Sequence, residues 1–269
     1  MVIIGEKING AIPRVAKAIE ARDEAFIRSL AVRQAQFGAS YIEVCASTSP
    51  SVERETLKWL MDIVQDAVDT PLSIDSSDPG VIVDMLPHAR KPGIINSTSD
   101  EGGKCEVIFP AIAGSAWNVI ALTCDDGGLP TDPAVKFAIA KTIVAKARGY
   151  GISVERLYID PLVNSIATVG EALTSFTEAT RSIKAEFPGI HINSGLSNVS
   201  FGMPLRKNIN QTFLILAMGA GMDCAIMDPT SIDMRTALYA TEMLLGHDEY
   251  CAEFLDAFRE GAIGPAKTV

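Results

Sequence analysis

Eight short apolar runs recur along the 269-residue chain, and segments of helical length separate most of them. The runs are nearly continuous in apolar residues, which is typical of parallel strands that are covered on both faces. They are residues 2–8, 41–45, 72–75, 93–96, 118–123, 157–160, 191–195 and 225–228. One uninterrupted series of this kind predicts an α/β chain with a single (β/α)8 TIM barrel. An open doubly wound sheet is the alternative, but neither GxGxxG after the first strand nor GxxxxGK[ST] occurs.

Amphipathic segments between the strands predict the helices. These are residues 23–37, 52–68, 132–148, 170–187, 209–218, 232–245 and 250–259. One helix has clear end signals, because Asp132 and Pro133 form the usual capping pattern and Gly149 is expected to end it. We expect the barrel to occupy residues 1–260 and the small-residue stretch 261–269 to form a flexible tail.

Charge, hydropathy and cysteine usage exclude several classes of protein. The net charge is −10, which disfavours nucleic-acid binding because such proteins present a basic face. No apolar run approaches the roughly 18–20 residues that span a bilayer, and the first ten residues resemble a strand rather than a signal peptide. The five cysteines form no CxxC pair and the three histidines lie far apart. We therefore expect a cytoplasmic protein with reduced thiols, no bound metal, no nucleic-acid partner and no membrane contact.

Polar residues follow nearly every predicted strand. They are Glu6, Asn9, Glu43, Asp75, Asn96, Asp160, Asn198 and Asp228. Any one of them could cap a helix or form an Asx-turn. However, Asp75 is followed by better-placed caps at Ser77 or Asp78, and Asp160 lies well before the next helix. In a barrel, the carboxyl ends of the strands meet at one face, so these side chains are expected to line one site.

Converging carboxylates indicate either a metal or an organic ligand with many donors. A metal would usually need histidine or closely spaced acids, whereas here acids alternate with asparagine. Asparagine both donates and accepts hydrogen bonds, while an ionised carboxylate only accepts. This mixture fits a planar heterocycle with adjacent N–H, NH₂ and C=O groups. Charge-assisted bonds to such a ligand contribute about 1.5–3 kcal/mol each.

Several motifs in a fixed order relate the chain to a known family. They are GEKING (5–10), LSIDS (72–76), INST (95–98), LYIDPL (157–162), GLSNVS (195–200) and INQTFLILAMGAGMDCAI (209–226). Together they resemble the pterin-binding methyltransferases, above all the methyltetrahydrofolate:corrinoid protein methyltransferases. The folate module of cobalamin-dependent methionine synthase is similar. The resemblance extends over nearly the whole chain.

The resemblance implies a TIM barrel that binds tetrahydrofolate or 5-methyltetrahydrofolate as substrate in its mouth. Asp75, Asn96 and Asp160 match the residues that hold the pyrimidine edge of the pterin. Asn198 matches the catalytic amide beside N5, the atom that carries the methyl group. The resemblance also implies that Glu6, Asn9 and Ser197 contribute to the pterin site. It further implies a homodimer and a separate corrinoid protein that carries the cobalamin.

The second strand differs from the family pattern, since Glu43-Val-Cys45 stands where Asp-x-Asn is common. Glu43 and Cys45 are therefore only possible pterin contacts. Arg206 could meet a folate tail or a partner's acids, or it could begin a solvated helix. Asp228 could hold other residues of the site in position without touching the ligand, or it could cap the helix after Pro229.

The chemistry explains why an amide is expected at the reacting atom. A tertiary amine is a poor leaving group, so N5 must be protonated or hydrogen-bonded as the methyl group moves to Co(I). No histidine is available in the motifs, and a positioned amide that binds the transition state more strongly is the substitute. Two alternatives remain. One is a dihydropteroate synthase-like enzyme, although the chain contains neither the NVTPDSF-like loop nor the Ser-Arg-Lys motif of those enzymes. The other is a non-catalytic pterin-binding subunit.

Overall fold

Eight parallel strands form one sheet in the computed structural model, which describes residues 1–265. The strands are β1 (Val2–Asn9), β2 (Tyr41–Cys45), β3 (Leu72–Asp75), β4 (Ile94–Ser99), β5 (Asn118–Leu122), β6 (Leu157–Asp160), β7 (His191–Ile192) and β8 (Cys224–Met227). Each strand lies beside its neighbours in sequence, and β8 pairs with β1. A parallel bridge between Gly195 and Ile226 joins the chain after β7 to β8. The ring thereby closes, and the predicted TIM barrel is confirmed.

Helices surround the barrel on its outside. Those of the described residues are α1 (Pro13–Glu20), α2 (Glu24–Gln36), α3 (Pro50–Ala67), α4 (Pro79–Met85), α5 (Lys104–Ile112), α6 (Pro133–Gly149), α7 (Ala172–Glu186), α8 (Arg206–Ala220), α9 (Ile232–Leu244) and α10 (Ala252–Arg259). The predicted cap of α6 is confirmed, because Asp132 accepts a hydrogen bond from the Ala134 amide at 2.7 Å. The predicted end is wrong, since Gly149 lies inside the helix and Gly151 adopts the left-handed conformation (φ +74°).

Three helices, α1, α4 and α5, are absent from the sequence prediction. The residues before α1 and α5, Ile12 and Gly103, make no side-chain cap. Helix α5 also contains Pro110, which normally indicates a helix end, and α4 has only seven residues. β7 is shorter than the predicted 191–195, because only His191 and Ile192 keep strand geometry.

The inside of the barrel is filled by a compact apolar layer. It consists of Ile4, Ile94, Ile120, Tyr158 and Cys224, all nearly inaccessible to solvent. Side chains two residues further along a strand point the same way, so the next layer toward the carboxyl ends includes Glu6, Asn96 and Asp160. The apolar layer is therefore the support on which the polar residues of the mouth rest. A larger core lies between the strands and the helices.

The end of the described chain packs against α9. Ile263 is buried, and the Gly264 amide donates to Thr236 Oγ1 at 3.0 Å. Residues 266–269 of the predicted tail lie outside the described residues. Within residues 1–265, no helix is long and apolar enough to cross a membrane.

Candidate active site

A cavity of about 850 Å³ opens at the carboxyl ends of the strands. Its wall contains ten of the residues predicted from the sequence: Glu6, Asn9, Glu43, Asp75, Asn96, Asp160, Ser197, Asn198, Arg206 and Asp228. Cys45 is not part of the wall, and its thiol lies 3.2 Å from Ser47 Oγ. The fold thus gathers into one cavity residues that are up to 222 positions apart in sequence.

A bulge in β1 determines which side chains of the GEKING motif enter the cavity. The register with β2 shifts between Gly5 and Ile8, so that Glu6 and Asn9 both face the mouth. Gln34 of α2 is fully buried, and its Oε1 accepts a hydrogen bond from the Lys7 amide at 2.9 Å. A β-carbon at Gly5 would come within 2.5 Å of Gln34 Oε1. The motif therefore needs glycine there because Gln34 occupies that space while it supports the bulge.

The floor of the cavity is rich in desolvated acids. Asn96 Nδ2 donates to Glu43 Oε1 at 2.9 Å, and this bond fixes the orientation of the amide. Burial raises the pKa of Glu43 well above its usual range, and the charges of Asp75 and Glu6 raise it further. Burial also raises the pKa of Asp75 to about 6. The protein offers few hydrogen-bond donors to these carboxyl groups, and this favours a ligand that supplies N–H donors.

Asp160 forms the far side of the floor and is held by several donors. Its Oδ1 accepts from the Leu162 amide at 2.8 Å, and its Oδ2 accepts from Asn193 Nδ2 at 3.0 Å. Burial nevertheless raises its pKa to about 6, with Lys136 acting in the opposite direction. Lys136 of α6 is itself fully buried, donates to the Leu162 carbonyl at 2.9 Å, and has its pKa lowered to about 8 by burial. The charge of the buried Lys136 therefore stabilises the ionised form of Asp160.

Asn198 lies on a 3₁₀ turn, Leu196–Ser200, which follows β7 at the rim. Its side chain is exposed to the cavity, and its Nδ2 lies 3.2 Å from the position of a β-carbon added to Gly195. Arg206 holds the turn, because it donates from Nε to Ser200 Oγ at 3.1 Å and from a terminal nitrogen to the Ser197 carbonyl at 3.0 Å. Its guanidinium also lies 4.8 Å from the centre of the Phe201 ring. Arg206 therefore begins α8 and belongs to the site at the same time.

Asp228 supports the opposite rim. Its Oδ1 accepts from the amide and hydroxyl of Thr230 at 2.9 and 2.7 Å, and its Oδ2 lies 3.2 Å from Lys7 Nζ. These donors hold the pKa of Asp228 below its usual value against the effect of burial. The alternative that Asp228 caps the next helix is wrong, since Ser231 caps α9.

The donor and acceptor pattern fits an organic ligand better than a metal. No group of three His, Cys, Asp or Glu side chains among residues 1–265 has the geometry of a metal site. The floor offers carboxylates beside an amide, and the rim offers a second amide at Asn198. Such a cavity can hold a flat, nitrogen-rich ring at its floor while leaving the ring's other edge toward the open mouth.

Sequence reasoning missed three supporting residues, Gln34, Lys136 and Asn193. The sequence contained a signal for Lys136, because this residue occupies a position of the apolar stripe that continues through Ile139, Ala140 and Ile143. The sequence also contained a signal for Asn193, since it follows the apolar Ile192 on the alternate face of the strand predicted at residues 191–195. Gln34 lies on the buried face of an ordinary amphipathic helix, and its role depends on the β1 bulge.

Comparison with known proteins relates the chain to one family. The model of the family described as pterin binding enzyme matches residues 14–228. The chain is 49% identical over 269 residues to a methylcorrinoid:tetrahydrofolate methyltransferase of Eubacterium limosum, covering 99% of both chains. It is 27% identical over 245 residues to methionine synthase of Mycobacterium tuberculosis, covering 86% of this chain and only 21% of that protein.

Solved structures of similar fold include dihydropteroate synthases. That of Xanthomonas albilineans with 4-aminobenzoic acid has a TM-score of 0.66 and 19% identity, and 92% of each chain is covered. That of Yersinia pestis has a TM-score of 0.62 and 14% identity, with 91% of this chain and 93% of that chain covered. At these identities the likeness establishes the fold alone. The match of the family model over most of the chain, together with the full-length relative, establishes that this protein belongs to the pterin binding enzyme family.

Proposed function

We propose that this protein is a methyltransferase that moves a methyl group between the cobalt of a separate corrinoid protein and N5 of tetrahydrofolate. The observation on which the proposal depends is the gathering of Asp75, Asn96 and Asp160 at the floor of one cavity, with Asn198 at its rim. The printed name of the Eubacterium limosum relative supports it and gives the methylcorrinoid as donor. We propose the same direction here.

The floor residues are proposed to bind the pyrimidine edge of the pterin. Asp75 and Asp160 are desolvated acceptors, and the N–H and NH₂ groups of a pterin would supply the donors that they lack. Asn96 gives its Nδ2 hydrogen bond to Glu43, so its Oδ1 is directed to accept from the ligand. Each such charge-assisted bond contributes about 1.5–3 kcal/mol. Glu43 is thus proposed to orient Asn96, and Asn9 to complete the wall.

Asn198 is proposed as the catalytic residue that hydrogen-bonds N5. Its turn is fixed by Arg206 and follows Gly195, so the amide is held without filling the cavity. A donor that is positioned before the reaction stabilises charge that develops at N5 without reorganising in the transition state. Ser197 is proposed to contribute through its backbone, since its carbonyl is bound to Arg206.

The corrinoid is proposed to arrive on its partner protein and to meet the pterin at the open mouth. When present, it supplies the cobalt that carries or accepts the methyl group. The rim offers exposed apolar side chains for such a contact, with Phe201 and Leu205 both more than half exposed.

We infer a cytoplasmic homodimer. All five cysteines are free, as expected in a reducing compartment. Helix α8 exposes Ile215 and Leu216 beside an apolar groove that also contains Leu173 and Phe213. Light scattering after gel filtration is expected to give twice the monomer mass, and Leu216→Glu is expected to reduce it. A monomeric mass for the unmodified protein would refute the dimer.

The test of function uses the purified protein with tetrahydrofolate and a methylated corrinoid protein under anaerobic conditions. Appearance of Co(I) absorbance and of 5-methyltetrahydrofolate is expected, and neither should appear with Asp160→Ala. Tetrahydrofolate binding without methyl transfer from any corrinoid donor would favour the non-catalytic alternative. Condensation of a pterin diphosphate with 4-aminobenzoate would favour the dihydropteroate synthase-like alternative, for which we find no motif in the sequence.

A further inference from the structure

Glu6 has a carboxylate without a hydrogen-bond donor among the described residues, whereas Asp160, Asp228 and Glu43 of the same wall each have one. Asp160 accepts from Leu162 and Asn193, and Asp228 accepts from Thr230 and Lys7. The Cys45 thiol lowers the pKa of Asp75, against the larger effect of burial. Glu43 is bonded to Asn96. Asp160, Asp228 and Glu43 thus hold other parts of the site in place, whereas the Glu6 carboxylate binds no other group of the described residues.

The backbone of β1 determines where the Glu6 side chain lies. Glu6 lies two residues after the inward-facing Ile4 and therefore faces the mouth, and the β1 bulge, which the fully buried Gln34 supports, brings Asn9 to the same wall. Bulges that redirect a side chain are common beside active sites. Glu6 and Asn9 therefore both line the mouth, and the Glu6 carboxylate does so without a hydrogen bond to another described residue.

Glu6 also lies on the reacting side of the mouth. The turn that carries Asn198 follows β7, the Gly195–Ile226 bridge joins that segment to β8, and β8 pairs with β1. Arg206, which binds the Ser197 carbonyl beside Asn198, is close enough to Glu6 to act on its charge. Glu6 therefore faces the same part of the cavity as Asn198 from two strands away.

The proposed reaction leaves a proton to be removed at this place. N5 of tetrahydrofolate is a secondary amine; its lone pair forms the new N–CH₃ bond while the Co–C bond breaks and leaves its electron pair on cobalt. The nitrogen then carries both the methyl group and its original proton, and this proton must leave to give neutral 5-methyltetrahydrofolate. A neutral amide such as Asn198 cannot take it, because an amide is a very weak base.

We propose that Glu6 is the proton acceptor for N5 in methylation and, in the reverse direction, the proton donor. The proton passes from N5 to the Glu6 carboxylate, directly or through one water, and then to solvent at the open mouth. This inference rests on the proposed function. It separates two tasks, since Asn198 positions and stabilises N5 while Glu6 carries the proton.

The electrostatics of Glu6 suit this task. Burial raises its pKa to about 7, with Asp228 acting in the same direction and Lys7 and Arg206 acting against it. The charge of Glu6 in turn raises the pKa of the neighbouring Glu43 on β2. An acid–base group is most effective when its pKa lies near the working pH. N5 methylation requires the ionised carboxylate, so its rate is expected to rise with pH through about 7; demethylation requires the protonated form and should fall through the same range.

The test compares Glu6→Gln with Glu20→Gln, an exposed acid at the end of α1. The rate of single-turnover methyl transfer from free methylcobalamin to tetrahydrofolate is measured as a function of pH between pH 5.5 and 8.5. Tetrahydrofolate binding is measured by calorimetry. We expect Glu6→Gln to lose about 100-fold in rate, the lower range of acid–base effects, and to lose the inflection near pH 7. Its tetrahydrofolate Kd should stay within about threefold of wild type, because the proton moves only in the reaction. Glu20→Gln should match wild type.

A second measurement does not depend on turnover. In protein labelled with ¹³C at the glutamate carboxyl groups, one resonance should titrate near pH 7 and be missing from Glu6→Gln. If that variant does not fold, Glu6→Asp should retain an inflection but show a lower rate. An unchanged rate and pH profile in Glu6→Gln, or in Glu6→Asp if only that variant folds, would overturn the proposal. Failure of the wild-type protein to transfer methyl groups at all would instead refute the proposed function.

Discussion

Replacing the buried Lys136 with methionine removes a cation that the fold holds at a cost. The pKa of Lys136 falls from 10.5 to about 8 because burial disfavours its charged form. Each tenfold loss in proton affinity corresponds to about 1.36 kcal/mol, so keeping the charge at pH 7 costs the folded state about 3 kcal/mol. Methionine has a similar volume but leaves the Leu162 carbonyl without its donor, which costs about 1–3 kcal/mol. Lys136→Met is therefore expected to be more stable at pH 7, by roughly 1 kcal/mol.

The sign of this difference should reverse in alkali. A base whose pKa is lower in the folded state makes the unfolded chain bind more protons between pH 8 and 10.5, so wild-type stability from this group rises over that range. By pH 9.5 wild type should have regained about 2 kcal/mol and should be the more stable protein. The assay is urea unfolding of both proteins at pH 7.0, 8.5 and 9.5. A variant that is less stable than wild type at pH 7, by an amount that does not change with pH, would refute the reasoning.

Four other substitutions, one of them a control, test the site and its scaffold. Asn198→Ala should lower the single-turnover rate roughly 100-fold while changing the tetrahydrofolate Kd less than about threefold; equal losses in both would show that the amide binds ground state and transition state alike. Gly10→Ala should lower stability by about 3 kcal/mol or more in thermal unfolding, because its β-carbon would lie 2.0 Å from the Ala46 carbonyl oxygen. Gly149→Ala, which meets nothing within 4 Å, is the matched control and should be neutral or slightly stabilising. Gln34→Met should cost about 1–3 kcal/mol in urea unfolding by leaving the bulged amide of β1 unpaired, and an unchanged midpoint would show that the bulge needs no support.

The acidic side chains of the cavity wall have different roles because they have different hydrogen-bond partners. Asp160, Asp228 and Glu43 all accept hydrogen bonds that fix their orientation, and they differ in pKa because their donors and burial differ. Glu6 is held in the same wall without such a partner. In one cavity, the local supply of donors therefore decides which acid is structural and which is left to exchange protons.

The sequence alone determined the class of fold and which polar residues line the mouth of the barrel. Buried parallel strands need continuous apolar runs, so β2, β3 and β6 were predicted with their observed ends. A polar residue at the end of such a run has only the mouth of the barrel to occupy, which is why Asp75, Asn96 and Asp160 were found by position. Helices α1, α4 and α5 were missed because their ends lack clear signals or they are short.

Only the tertiary structure decided how each polar residue is used. The β1 bulge depends on Gln34, which comes from a different element, and no local pattern at residues 5–10 specifies that contact. Likewise, Lys136 lies 24 residues before Asp160 and meets it only when α6 packs against the barrel. A residue type and its place on a strand follow from local hydrophobicity, but pKa values and hydrogen-bond partners depend on groups that long-range packing brings together. The sequence therefore pointed to Asn198 and the three floor residues, whereas the unpaired state of Glu6 became visible only once its neighbours were in place.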